Sequence, residues 1–183
     1  MAFNINEFQG ALAGGGARPN LFQVMVHNPV NLSQTLQSAF MIQASSIPES
    51  TLGVATQNYF GRPIKFAGNR TVADWSVTVI NDEDFAIRSA MENWSEKING
   101  LQSNLRDTGF ISAGQYKSTA TVTQYGKGGD PLRSYSMRGI FPVSVGAIAL
   151  DWGTNDAMET FDVTFSVDYW EAIAVGATGE LGA

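Results

Sequence analysis

Residues able to do chemistry are few in this chain, and their spacing argues against catalysis. His27 is its one histidine and there is no cysteine. Neither a His-rich nor a thiolate metal site is therefore available, and no thiol can act as a nucleophile. Asn28 and Pro29 follow His27 and place it at a strand end, where a structural or exposed role is expected. Ser-His-Asp hydrolysis would need a G-x-S-x-G elbow to present its serine, and the sequence contains none. Carboxylates cluster at Asp82-Glu83-Asp84, and Asp168 lies near Glu171. Glycoside hydrolysis needs two such groups across a cleft. The first cluster reads more simply as the start of a helix, the second as a solvated strand face.

Two glycine-rich segments invite a phosphate-loop reading and fail it. Gly14-Gly15-Gly16 lacks the Lys-Ser/Thr that must follow. Gly126-Lys127-Gly128-Gly129 lies between strand patterns, whereas a phosphate cradle needs a helix N-terminus behind it. They read as a linker and a hairpin tip. Trp75, Trp94, Trp152 and Trp170 fall mostly at strand or helix positions expected in the core. Stacking platforms for single-stranded nucleic acid interleave such rings with basic residues, which are scarce here. No catalytic, cofactor-binding or metal-binding residue is assigned, no cofactor is expected, and the chain does not read as an enzyme.

The elements that carry these residues are mostly strands. Leu21 to Val26 is a short apolar strand. Leu36 to Ile47 reads as a strand stopped by Pro48, which cannot donate to a ladder, with Thr51 to Phe60 as its partner. Arg62 to Ala67 follows, then a turn at Gly68-Asn69. From Thr71 to Ile80 the side chains alternate: Ala73, Trp75, Val77 and Val79 share one face, the period of a half-buried strand. Asp82 is the expected N-cap of a helix reaching Asn99. Ile87, Met91, Trp94 and Ile98 line its inward face, and the helix packs outside the barrel. Tyr116 to Tyr125 and Leu132 to Phe141 form a hairpin with a loose tip, and Ser144 to Asp151 a short strand. Phe161, Val163, Phe165, Val167 and Tyr169 alternate along the last strand. The expected fold class is mainly β: an antiparallel sandwich or barrel with one flanking helix. Residues 18–172 form the β domain. Residues 1–17 form a small, Gly-rich flexible N-terminal arm, and 173–183 a similar C-terminal tail.

Composition bounds the partners. At 183 residues the chain suits one domain. Only 15% of residues are charged, against about 25% in ordinary globular chains, while 44% are hydrophobic. Surface hidden against partners is one explanation and a neutral polar surface another. The net charge of −6 opposes any grip on nucleic acid, which takes basic patches. No run approaches a membrane span, and the first residues, MAFNINEFQG, lack a secretory pattern.

Four segments carry a resemblance. They are Ala17-Arg18-Pro19-Asn20-Leu21-Phe22-Gln23-Val24; Ala67-Gly68-Asn69-Arg70-Thr71 running into Asp74-Trp75-Ser76-Val77-Thr78-Val79-Ile80-Asn81-Asp82-Glu83; Gly139-Ile140-Phe141-Pro142 with Leu150-Asp151-Trp152; and the stretch from Glu159 to Glu171, ETFDVTFSVDYWE. In this order they resemble the tail tube proteins of contractile-tailed, T-even-like bacteriophages, related in plan to type VI secretion and pyocin tubes. The resemblance implies homohexameric rings whose inner strands close one large β-barrel, stacked inside a contractile sheath in the virion. Double-stranded DNA would pass through without specific contact during ejection. Implied partners are other copies of the chain, the sheath protein, and baseplate and tail terminator proteins, with assembly in the host cytoplasm. The tube of a pyocin-like or other phage-derived injection particle is one alternative. A non-catalytic β-sandwich binding module is another.

On this reading Thr119, Thr121, Thr123, Ser134, Ser136 and Arg138 are candidate lumen-facing residues, because they share strand faces suited to water. The hairpins Leu36 to Phe60 and Tyr116 to Phe141 are the candidate lumen strands. The 47–60 hairpin, with Ile47, Pro48, Glu49, Ser50 and Thr51 as its candidate ring-stacking contacts, and the N-terminal arm are expected between stacked rings.

Overall fold

The computed structural model describes residues 5–12, 15–31 and 33–173. In chain order these form α1 (Ile5–Ala11), β1 (Phe22–Val26), α2 (Ser33–Met41), β2 (Ile42–Ser45), β3 (Ser50–Tyr59), β4 (Arg62–Val72), β5 (Trp75–Ile80) and α3 (Ala86–Ile98). A 3₁₀ turn at Thr108–Phe110 follows, then α4 (Ala113–Tyr116), β6 (Ser118–Tyr125), β7 (Pro131–Val145), β8 (Thr160–Ser166) and β9 (Tyr169–Ile173). Residues 174–183 of the expected tail, and 1–4, 13 and 14 of the expected arm, lie outside the described residues. Within the arm, residues 5–11 are helical.

The body is an antiparallel sheet that folds over on itself. Its strands run β1-β6-β7-β8-β5-β2, with β9 added beside β7. β7 makes the fold-over possible. Its first part lies between β6 and β9, and its end, Phe141 to Val145, pairs with β8. The strand bends where Ser118 faces Ile140 and Thr119 faces Arg138, leaving Gly139 as a bulge. Gly139 has φ +68°, and a Cβ there would stand 2.0 Å from Asp168 Oδ2. Only glycine satisfies both conditions. The Asp168 carboxylate over this glycine is held by Lys117 Nζ at 2.7 Å.

The core lies between the two halves of the folded sheet. Val24, Val26, Ala120, Val122 and Met137 come from one half, and Trp75, Val77, Val79, Phe161, Val163 and Phe165 from the other. α3 adds Ile87, Met91 and Trp94. Trp94 has no solvent exposure, stacks near Phe165 at 6.1 Å and donates its indole N–H to the Tyr116 carbonyl at 2.9 Å. The alternating strands thus bury the faces their period marks.

Several boundaries differ from expectation, each for a physical reason. Leu36 to Ile47 is not one strand: α2 occupies 33–41 and only 42–45 is extended. The face α2 turns inward is hydroxylic, with Thr35 and Ser38 buried and Phe40 exposed, so hydrophobic period could not show the helix. β3 pairs with β4, not with the 36–47 segment. Gly68-Asn69 is not a turn but lies within β4, at a bulge opposite Gly53. The reversal is at Phe60-Gly61, both with positive φ. Asp82 is not the N-cap. Phe85 is, with φ +50°, because Asp82 to Phe85 closes a turn, Phe85 N–H to the Asp82 carbonyl at 2.9 Å, before the helical ladder begins. Ser144 to Asp151 is not a strand of its own. β7 ends at Val145, and Gly146 N–H then binds the Asp162 carbonyl at 2.6 Å. The last strand divides into β8 and β9 around Val167 and Asp168. Trp152 is not in the core; it stands fully exposed in the loop after β7.

Candidate assembly interface

Among the described residues no three His, Asp or Glu side chains gather as a metal site. The features that stand out are surfaces. The first is the outer face of the sheet β1-β6-β7-β9. Thr119 lies opposite Arg138, Thr121 opposite Ser136 and Thr123 opposite Ser134, so all six candidate lumen residues share one face. Their in-between neighbours, Ala120, Val122 and Met137, are in the core, so the six point away from it, although Ser136, between Thr121 and Glu171, is itself buried. β1 extends this face with Gln23 and Met25, and β9 with Tyr169 and Glu171. Thr123 and Ser134 hydroxyls lie 3.1 Å apart. The centre of the face is hydroxylic, with one cation, Arg138, and one carboxylate, Glu171, and its margins are apolar at Met25, Tyr169 and Ile173.

The second surface is the ribbon of β3 and β4. Apart from Ser50, Gly68 and Val72, every one of its strand residues is exposed. Beyond the bulge, Ala55, Gln57 and Tyr59 share a face with Phe66, Ile64 and Arg62, while Val54, Thr56 and Asn58 share the other with Ala67, Lys65 and Pro63. Both faces mix apolar and basic groups. Gly53 and Gly68 meet at the bulge, where a Cβ on Gly68 would lie 3.0 Å from the Gly53 backbone, so two side chains would not fit. A two-stranded ribbon is at best marginally stable by itself in water, and both edges of this one offer unpaired backbone groups.

The candidate stacking residues lie at the ribbon's root. Ser50 and Thr51 open β3, Glu49 and Ile47 are exposed, and Pro48 is buried. Spacing brought the first six candidates onto one face; it did not show that the projecting element continues to Val72. A third feature, the loop of residues 146–159, exposes Leu150, Trp152 and Met158.

Asn28 is a residue that sequence reasoning passed over. It is buried; its side-chain oxygen accepts from Val30 N–H at 2.9 Å and Asn31 N–H at 3.3 Å, and its amide donates to the Ala90 carbonyl at 3.2 Å. It ties the end of β1 to α3. The Asn-Pro pair after His27 was the available signal. His27 itself only extends the ladder, its N–H on the Thr119 carbonyl at 3.0 Å.

Fold and surfaces together define a mainly β subunit with a large exposed ribbon. Residues 17–173 match the family model described as phage tail tube protein. The chain is 35% identical over 160 residues to the tail tube protein gp19 of Enterobacteria phage T4, covering 87% of this chain and 93% of that one. It is 24% identical over 175 residues to the tail tube protein of Serratia phage KSP90, covering 93% and 96%. Its fold resembles a chain in the sheath–tube complex of an extracellular contractile injection system, PVC, with a TM-score of 0.60, 15% identity, and coverage of 95% and 100%. The chain belongs to the phage tail tube protein family. It is a structural subunit of a phage tail, part of the virion, and not an enzyme.

Proposed function

We infer that this subunit forms hexameric rings that stack into the inner tube of a contractile tail, and that double-stranded DNA passes along its lumen during ejection. The observation that carries the lumen is the coplanar set Thr119, Thr121, Thr123, Ser134, Ser136 and Arg138, on the face of β6 and β7 turned away from the core. The hydroxyls carry no charge, Arg138 shares the face with Glu171, and the chain is acidic overall, so such a wall guides a polyanion without holding it. The sheet that bears this face has β1 at one edge and β9 at the other. Pairing β9 of one copy with β1 of the next would satisfy both edges and close a ring by rotation. At one end of β1 the outer edge is held within the chain, Val26 N–H on Ser38 Oγ at 3.3 Å, so pairing would use its Phe22 end. Ile47 to Thr51, at the ribbon's root, and the N-terminal arm are the contacts between successive rings. A sheath outside, a baseplate and a terminator at the ends, and assembly in the host cytoplasm complete the reading. The family match and the 35% identity to a phage tail tube protein support it.

Cryo-electron microscopy of the purified chain assembled at high concentration tests this reading. Six-fold rings with Thr121 and Ser136 on the inner wall are expected; those side chains on the outer wall would overturn the lumen assignment. Removing residues 1–17 should shorten tubes, and unchanged lengths in negative stain would count against the arm.

A further inference from the structure

The two edge strands of the sheet β1-β6-β7-β9 differ in how open they are. His27 donates its N–H to the Thr119 carbonyl at 3.0 Å, and the Leu21 carbonyl accepts from Tyr125 N–H at 2.9 Å. Odd-numbered residues of β1 therefore bond to β6. Phe22, Val24, Val26 and Asn28 turn their backbone groups to the outer edge. The same alternation, carried across β6 and β7, sets Arg138, Ser136 and Ser134 in bonded pairs with Tyr169, Glu171 and Ile173. Trp170 and Ala172 then turn theirs outward from β9.

β9 is the open edge: four of its five residues are exposed and Trp170 is partly so. β1 is the covered one. Val24, Val26 and Asn28 are each 1% exposed, and of the four outward residues only Phe22 is partly exposed. The cover is α2. Asn28 N–H donates to Thr35 Oγ1 and Val26 N–H to Ser38 Oγ, both at 3.3 Å. Ser38 Oγ in turn donates to the Thr35 carbonyl at 2.7 Å. Helix and strand thus run in opposite directions, three residues of α2 to two of β1. At that spacing the end of α2, where Met41 packs partly buried on the core, falls beside Val24. The hydroxyls that α2 turns inward serve strand donors rather than fill the core.

The two edges do not match. β9 presents two outward residues, and an antiparallel neighbour must answer with two. β1 has one uncovered. We propose that α2 is a removable cover: β9 of a second copy adds to the edge of β1 beneath it, and α2 swings away as the ring closes. Pairing begins at Phe22 and reaches Val24 as α2 withdraws. Two hydrogen bonds at the long end of the range are a light hold, and the neighbour's ladder replaces them. The free subunit is guarded at one edge against indiscriminate strand addition. The proposal rests on the ring reading and names what must move for the ring to form.

Spin labelling of the full chain tests it, because a chain without cysteine takes labels only where cysteines are placed. Phe40 on α2 and Asn93 on α3 are both exposed. Phe40→Cys with Asn93→Cys, doubly labelled and diluted into unlabelled chain, reports the distance between the two helices. It should lengthen by about 5 Å or more on assembly, the width of the strand that takes the place of α2. Thr35→Val with Ser38→Ala leaves two N–H groups without acceptors in the covered form. This variant should form rings about tenfold faster by light scattering at equal concentration. Where it fails to fold, Ser38→Ala alone should give about a threefold gain. A label distance unchanged in rings, or a folded variant that assembles no faster than the parent, would overturn the cover while leaving the ring intact. A parent chain that forms no rings would overturn the ring reading itself.

Discussion

The body and the ribbon of this subunit are built from the same kind of strand, yet they are stable for different reasons. In the body, β5 and β8 alternate, with Trp75, Val77, Val79, Phe161, Val163 and Phe165 all buried. Burying such side chains contributes on the order of 1.5–3 kcal/mol each. In the ribbon, Tyr59, Ile64 and Phe66 alternate as well, but all stand exposed. The same period therefore has two meanings. In one region the second layer is in the chain; in the other no described residue of the chain supplies one. That difference separates strands held by the core from strands held only by each other.

Substitutions that press on this contrast range from severe to negligible. Trp94→Ala removes the largest side chain α3 lends to the core and its bond to Tyr116, and should cost about 3–5 kcal/mol in urea unfolding. A cost below 1 kcal/mol would mean the body is not held by its core. Asn28→Ala strands the Val30 and Asn31 N–H groups and should cost about 2 kcal/mol by the same measurement. Gly139→Ala forces a side chain into positive φ against Asp168 and should cost about 1–3 kcal/mol; a neutral result would show that β7 can straighten. At the other extreme, Phe66→Ser should change monomer stability by no more than about 0.5 kcal/mol. If it cost as much as Trp94→Ala, the ribbon would have to be packed against its own body in solution. Hydrogen exchange gives the same comparison without mutation: ribbon amides should exchange early in the monomer and become protected in the tube.

Much of the body was legible because its signals are local and two-sided. Trp75 to Val79 and Phe161 to Val167 alternate cleanly, and Ile87, Met91 and Trp94 return at helical spacing. Elements that escaped did so where polarity or conformation runs against type. α2 turns Thr35 and Ser38 inward and Phe40 outward, the reverse of an apolar stripe. The ribbon's reversal places a phenylalanine, Phe60, at positive φ, where Gly, Asn or Asp is usual, while Gly68-Asn69 advertised a turn that is only a bulge. The hydroxyl face on β6 and β7 was legible as a set from its spacing. The contact of Asn81 with Glu159 was not, because the two are far apart in sequence and meet only through the pairing of β5 with β8.

The absence of any acidic residue between Ser50 and Val72 also bears on how the subunit waits. A ribbon with open edges and apolar faces is the kind of segment that adds to its own likeness and precipitates. Two such ribbons laid side by side would bring six positive charges together with no counter-charge from either. Arg62, Lys65 and Arg70 thereby oppose the edge-to-edge joining of free copies that the ribbon's shape alone would invite.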